Sequence, residues 1–82
     1  MAQSKDEVLA GLAALVNDET GVPVDSVVFG KSFAGDLDID SISMMTIVVN
    51  AEEEFGVKIP DDKVQELKTV DDAVDFIVGA QA

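Results

Sequence analysis

The segment that most constrains the fold is the run 41–55, which contains neither glycine nor proline. Asp40 before it is a favourable N-cap residue, and Gly56 after it is a typical helix stop. We therefore predict an α-helix over this run. Its part 42–51 is apolar on most sides, whereas a helix that rests on one core needs a narrower apolar stripe. The helix is predicted either to be central or to offer apolar surface to a ligand or partner.

Further helices are predicted on both sides of this run. Ser4 and Glu7 form a capping box before an apolar stripe that reaches Val16, and Gly21 ends this first helix. Thr69 is the predicted N-cap of the last helix, which has its own apolar stripe. We expect the small residues at the end of the last helix to fray.

One short helix and one long loop complete the predicted fold. The short helix is predicted over 61–67, with acidic residues in its first turn. The loop 21–40 joins the first two main helices, and we expect Phe33 and Leu37 to pin it to the core, with a helical turn near 25–28. The prediction is an all-α fold, a small four-helix bundle of three main helices and one short helix.

Residue types that are absent exclude several kinds of function. The chain of 82 residues contains no cysteine and no histidine. A disulfide framework, a thiolate metal site and a Ser–His or Cys–His nucleophile pair are therefore excluded. We expect residues 1–82 to form a single domain that enzymes act upon, with no catalytic residues and no metal site.

Acidic side chains dominate the charge of the chain. Seventeen Asp and Glu residues face five lysines, which gives a formal net charge of −12. Such a surface repels nucleic-acid phosphates and anionic membranes, and it favours partners with basic patches. The N-terminal residues show no apolar signal sequence, and no apolar run approaches the roughly 20 residues of a membrane span. We expect a cytoplasmic protein that binds neither nucleic acid nor membrane.

Ser41 is the candidate functional residue at the start of the predicted second main helix. Its hydroxyl is expected to be exposed beside backbone amides that have no partner within the helix. A phosphate esterified to this hydroxyl would lie at the positive end of the helix dipole, although the neighbouring aspartates oppose a second anion. By its local pattern alone, Ser41 is more simply explained as a serine that starts a helix.

The aspartates beside Ser41 also allow a calcium-binding interpretation. Asp36, Asp38 and Asp40 match positions 1, 3 and 5 of a calcium loop. The remainder of the pattern fails, because Ser41 stands where the loop needs glycine and Ile47 stands where it needs a bidentate glutamate. A high-affinity site is not predicted, whereas weak binding of divalent ions stays open.

Several segments together carry a resemblance that covers essentially the whole chain. Asp40-Ser41-Ile42 resembles the Asp-Ser-Leu attachment motif of acyl carrier proteins, with isoleucine in place of leucine. The segments 32–37 (Ser-Phe-Ala-Gly-Asp-Leu), 52–55 (Glu-Glu-Glu-Phe) and 59–61 (Ile-Pro-Asp) are similar to that family in order and spacing. The chain resembles the acyl carrier proteins of bacterial type II fatty-acid synthesis.

The resemblance implies a carrier and not an enzyme. A phosphopantetheinyl transferase would transfer 4′-phosphopantetheine from coenzyme A to Ser41, and the thiol of this arm would hold acyl chains as thioesters. We expect a monomer that delivers growing fatty acyl groups to the separate enzymes of fatty-acid biosynthesis. The short chain is expected to be free-standing and not a module of a larger synthase.

Two sets of residues are carried over from the family. The first would meet basic patches on partner enzymes and comprises Asp36, Asp38, Asp40, Met44, Met45, Val48, Glu52 and Glu53. The second would line the pocket that shelters the acyl chain and comprises Phe33, Ile47, Ala51, Ile59, Leu67 and Ala73. Each member of the second set is equally well an ordinary core residue, and a run of acids is often only a solvated face.

Two alternatives stay open at this point. A carrier of a type II polyketide pathway, or of another specialised acyl pathway, would share every motif. An acidic adaptor or a metal-binding helical bundle without a covalent arm would share only the composition and the helical pattern.

Overall fold

The computed structural model describes residues 3–81, and within them the chain forms four α-helices. They are α1 (Lys5–Thr20), α2 (Ser41–Phe55), α3 (Asp61–Val64) and α4 (Val70–Gln81). A 3-10 turn, Val24–Ser26, lies in the loop between α1 and α2, close to where a helical turn is predicted. The described part contains no strand, and one antiparallel bridge joins Ser32 and Thr69. The predicted small helical bundle is confirmed.

The helix boundaries follow the capping residues of the sequence. The Ser4 hydroxyl accepts the N–H of Glu7, and the Glu7 carboxylate accepts the N–H of Ser4, so the predicted capping box forms. Thr69 and Asp72 make the same reciprocal pair at the start of α4. Gly56 ends α2 with φ +66°, a left-handed conformation that glycine adopts without a Cβ clash.

One apolar core lies between the three long helices. Leu12 of α1, Ile47 of α2 and Ile77 of α4 are each 1% exposed, and α1 packs against both α2 and α4. Phe33 and Leu37 are buried as well, so the long loop is pinned to the core as predicted. Within residues 3–81 no helix is both long enough and apolar enough to cross a membrane.

The short helix is shorter than predicted. The sequence predicts a helix over 61–67, whereas α3 ends at Val64. Beyond it the N–H groups of Glu66 and Leu67 donate to the carbonyls of Lys63 and Val64, three residues before each. This is the tighter 3-10 geometry, in which the chain turns and directs Leu67 into the core.

The end of α4, where the sequence predicts fraying, makes side-chain contacts with other parts of the fold. The helix continues through its small residues to Gln81. The amide nitrogen of Gln81 donates to the carbonyl of Phe55 at 3.2 Å and to the side chain of Gln3 at 2.9 Å. These bonds tie the end of α4 to the end of α2, a long-range contact that local composition does not reveal.

The second half of the loop 21–40 is fastened to the start of α4. The N–H of Phe33 donates to the carbonyl of Lys68 at 3.0 Å, and the N–H of Gly30 donates to the carboxylate of Asp71 at 2.7 Å. The approach to α2 is therefore held against the turn that precedes α4. This attachment fixes the surroundings of the first residues of α2.

Candidate functional site

Ser41 is the first residue of α2, and its side chain is exposed. The N-cap is the preceding Asp40, whose carboxylate accepts the N–H of Ser43 at 2.7 Å. Within the described residues the Ser41 hydroxyl makes no hydrogen bond. Asp40 thus supplies the helix cap, and the Ser41 hydroxyl takes no part in capping.

Ser41 lies at an apolar cavity of about 670 Å³ between α2, the long loop and the turn after α3. A volume of this size is typical of sites that hold small organic ligands. The apolar walls are formed by Phe33, Ala34, Ile39, Met44, Met45, Val64 and Leu67. Polar residues at the same cavity are Ser32, Asp40, Ser41, Gln65 and Lys68. A group attached to Ser41 therefore has an apolar surface beside it.

The residues predicted to line an acyl pocket are all buried. Only Phe33 and Leu67 among them line the cavity beside Ser41. The others lie in the core away from its walls, namely Ile47, Ala51, Ile59 and Ala73. Met44, which the sequence places on the partner surface, also lines the cavity and is half-buried. Its unbranched side chain can adapt to a chain that enters beside it.

An exposed apolar stripe runs along the outer face of α2. Ile42 is 78% exposed, Met45 is 45% exposed and Val49 is 50% exposed. Their spacing of three and four residues places them on one side of the helix. Met45 is a predicted partner contact, whereas Ile42 and Val49 are missing from the prediction. The helical period could have found them, since they lie opposite the buried Ile47.

Val48 is a correction to the predicted partner surface. It is 5% exposed and packs in the core with Ile47 and Ala51, so it has no surface to offer to a partner. Glu52 is half-buried, and its carboxylate accepts the N–H of Ile59 at 2.7 Å, which fixes the link after α2. Of the two predicted glutamates only Glu53 is fully on the surface.

The three aspartates of the predicted acidic loop before α2 are all exposed. Asp36 accepts the N–H of Ser32 at 2.9 Å, and Asp38 has φ +55°, a left-handed conformation that aspartate tolerates better than most residues. Together with Asp40 these side chains surround the start of α2 with negative charge. Across residues 3–81, no three acidic side chains are grouped so that they could hold a metal ion.

The N-cap bond makes the contribution of Asp40 to stability depend on pH. The N–H of Ser43 donates to its carboxylate and lowers the pKa of Asp40 below its ordinary value. Stabilisation from a depressed pKa is present above the unfolded-state pKa, about 4, and is lost as the pH falls through the folded-state pKa. We expect Asp40→Asn, which keeps a cap acceptor but does not titrate, to lose less stability than the wild type below about pH 4.

Thermal unfolding at a series of pH values, followed by far-UV circular dichroism, measures this difference. Asp38→Asn is the matched control, because it removes a neighbouring exposed charge and leaves the cap intact. If Asp40→Asn and Asp38→Asn lost stability equally steeply in acid, the cap would not be the source of the effect.

Comparison of the sequence with known proteins and comparison of the structure with solved structures lead to the same result. A family model of the phosphopantetheine attachment site matches residues 10–77. The acyl carrier protein of Micrococcus luteus is 71% identical over 79 residues, which cover 96% of this chain and 98% of that protein. The acyl carrier protein of Myxococcus xanthus is 70% identical over 77 residues, which cover 94% and 98%. A solved acyl carrier protein structure from Enterococcus faecalis matches with a TM-score of 0.78 and 35% identity, over 95% of this chain and 99% of that chain.

Proposed function

This chain belongs to the acyl carrier proteins, and from that premise we propose that it carries growing fatty acyl chains for separate enzymes of fatty-acid synthesis. Its cofactor is a covalent 4′-phosphopantetheine. We assign the attachment to Ser41. The observation that carries this assignment is an exposed hydroxyl, free of the helix cap, at the edge of an apolar cavity.

The surroundings of Ser41 fit a phosphopantetheine arm. Esterification of the hydroxyl breaks no hydrogen bond within the described residues, since Asp40 makes the cap. The arm supplies a thiol that holds acyl groups as thioesters, a group that this chain lacks because it contains no cysteine. The protein's own part is to keep the attachment point on the surface and to offer the walls formed by Phe33, Met44 and Leu67 to the acyl chain.

The charge around α2 supports enzymes with basic patches as partners. Between residues 36 and 62 the sequence contains a single lysine, Lys58, and eight acidic residues. The acidic residues are Asp36, Asp38, Asp40, Glu52, Glu53, Glu54, Asp61 and Asp62. Such a field accelerates encounter with a basic surface and orients it, while the apolar stripe Ile42, Met45 and Val49 offers contact area. We propose as partners a phosphopantetheinyl transferase and the fatty-acid synthesis enzymes, and a monomeric, cytoplasmic carrier.

Reconstitution with the purified enzymes of a dissociated fatty-acid synthesis system tests the pathway. We expect the phosphopantetheine-loaded protein to accept a malonyl group and to accumulate a ladder of elongated acyl thioesters, read by intact mass. The control replaces the fatty-acid ketosynthase by one from a type II polyketide system. Elongation that occurs with the polyketide ketosynthase and not with the fatty-acid ketosynthase would reject the fatty-acid assignment and retain the carrier function.

A further inference from the structure

The positive end of α2 is already occupied by a side chain of the protein. The carboxylate of Asp40 accepts the N–H of Ser43, which is one of the amides that give a helix start its positive character. A phosphate on Ser41 would also lie at this positive end. It would share it with the Asp40 carboxylate, which repels it. Asp36 and Asp38 in the preceding loop add further negative charge. A cation from another part of the fold would offset this repulsion of a phosphodiester on Ser41.

Lys68 is the lysine at the cavity that Ser41 borders. It lines the same cavity, whereas none of the other lysines of the chain does. The ammonium nitrogen of Lys5 lies 2.9 Å from a carboxylate oxygen of Asp75. That of Lys63 lies 3.7 Å from a carboxylate oxygen of Glu66. Within residues 3–81 the ammonium of Lys68 makes no ion pair.

The backbone of Lys68 is held in place while its side chain stays exposed. Its carbonyl accepts the N–H of Phe33 at 3.0 Å, beside the bridge between Ser32 and Thr69. The neighbouring Leu67 is buried and forms part of the cavity wall. The flexible stem of Lys68 thus extends from a fixed point at the cavity that Ser41 also borders.

We propose that Lys68 binds the phosphodiester of the phosphopantetheine arm and so directs the arm along the cavity. The inference rests on the proposed attachment at Ser41. An ammonium with three rotatable donors suits phosphate oxygens in any orientation. Binding the phosphate at this point brings the remainder of the arm past Met44 and Leu67, and it offsets the repulsion from Asp40.

The arm of the loaded protein, observed by NMR, tests this inference. An exposed lysine–phosphate pair of ordinary strength favours contact over separation by about 1.5- to 5-fold. We expect Lys68→Gln to shift the phosphorus resonance towards that of the same phosphodiester on a serine of a short unfolded peptide. The mobility of the arm's amides, measured by nitrogen relaxation, should also increase. Lys68→Arg should restore both signals, because it keeps the charge and the donors.

Lys58→Gln is the matched control, since it removes the same charge from a lysine that does not line the cavity. At about 1 M salt the wild type should approach Lys68→Gln, because screening weakens exposed pairs. Signals of Lys68→Gln identical to those of the wild type, or an equal response of Lys58→Gln, would overturn the role of Lys68 alone. A chain that accepts no arm at Ser41 would overturn this inference together with the attachment site.

Discussion

Ser41→Ala is expected to keep the fold and to accept no phosphopantetheine at all. The Ser41 hydroxyl oxygen is the atom to which we assign the arm, and alanine has no substitute for it. Stability should change by less than about 0.5 kcal/mol, because the side chain is exposed and the N-cap belongs to Asp40. Incubation with coenzyme A and a phosphopantetheinyl transferase, followed by intact mass, should show one arm on the wild type and none on the variant.

Ser43→Ala is the control for this experiment. It removes the second serine of the same helical turn, while its backbone N–H still donates to Asp40 and keeps the helix start intact. This variant should accept one arm like the wild type. An arm on Ser41→Ala would move the attachment to another hydroxyl, and loss of loading in both variants would point to a damaged helix start.

The long helices could be predicted because single capping residues mark their ends. Asp40 and Gly56 determine both ends of α2, and the capping box determines the start of α1. The end of α3 could not be predicted in this way. Its 3-10 turn exists because Leu67 must reach the core within a few residues, and this requirement comes from the packing of the other helices.

The site was predictable in its chemistry and less so in its walls. Ser41 followed from the order of motifs along the chain, and its exposure agrees with that role. Phe33 and Ile59 are both apolar and both buried, yet of the two only Phe33 lines the cavity. Val48 and Val49 are identical in sequence character and differ only by one step of about 100° around α2, which buries one and exposes the other. Such distinctions depend on packing and not on residue type.

Ile47→Ala is expected to destabilise the protein by about 2–5 kcal/mol. Ile47 is 1% exposed in the centre of α2, so truncation loses apolar burial and leaves a void that the tightly packed core closes only in part. A domain of this length has a total stability of roughly 4–12 kcal/mol, so the loss is a large share of it. Urea unfolding followed by far-UV circular dichroism measures it, since the chain contains no tryptophan or tyrosine.

Val49→Ala on the exposed face of the same helix is the control, and it should change stability by less than about 0.5 kcal/mol. Loading the arm with a fatty acyl chain then separates the core role of Ile47 from a pocket role. If the acyl chain stays in the cavity lined by Phe33, Met44 and Leu67, acylation stabilises the wild type and Ile47→Ala equally. We expect this equality, because Ile47 does not line the cavity; a larger gain for Ile47→Ala would show that the acyl chain fills the void and enters the core.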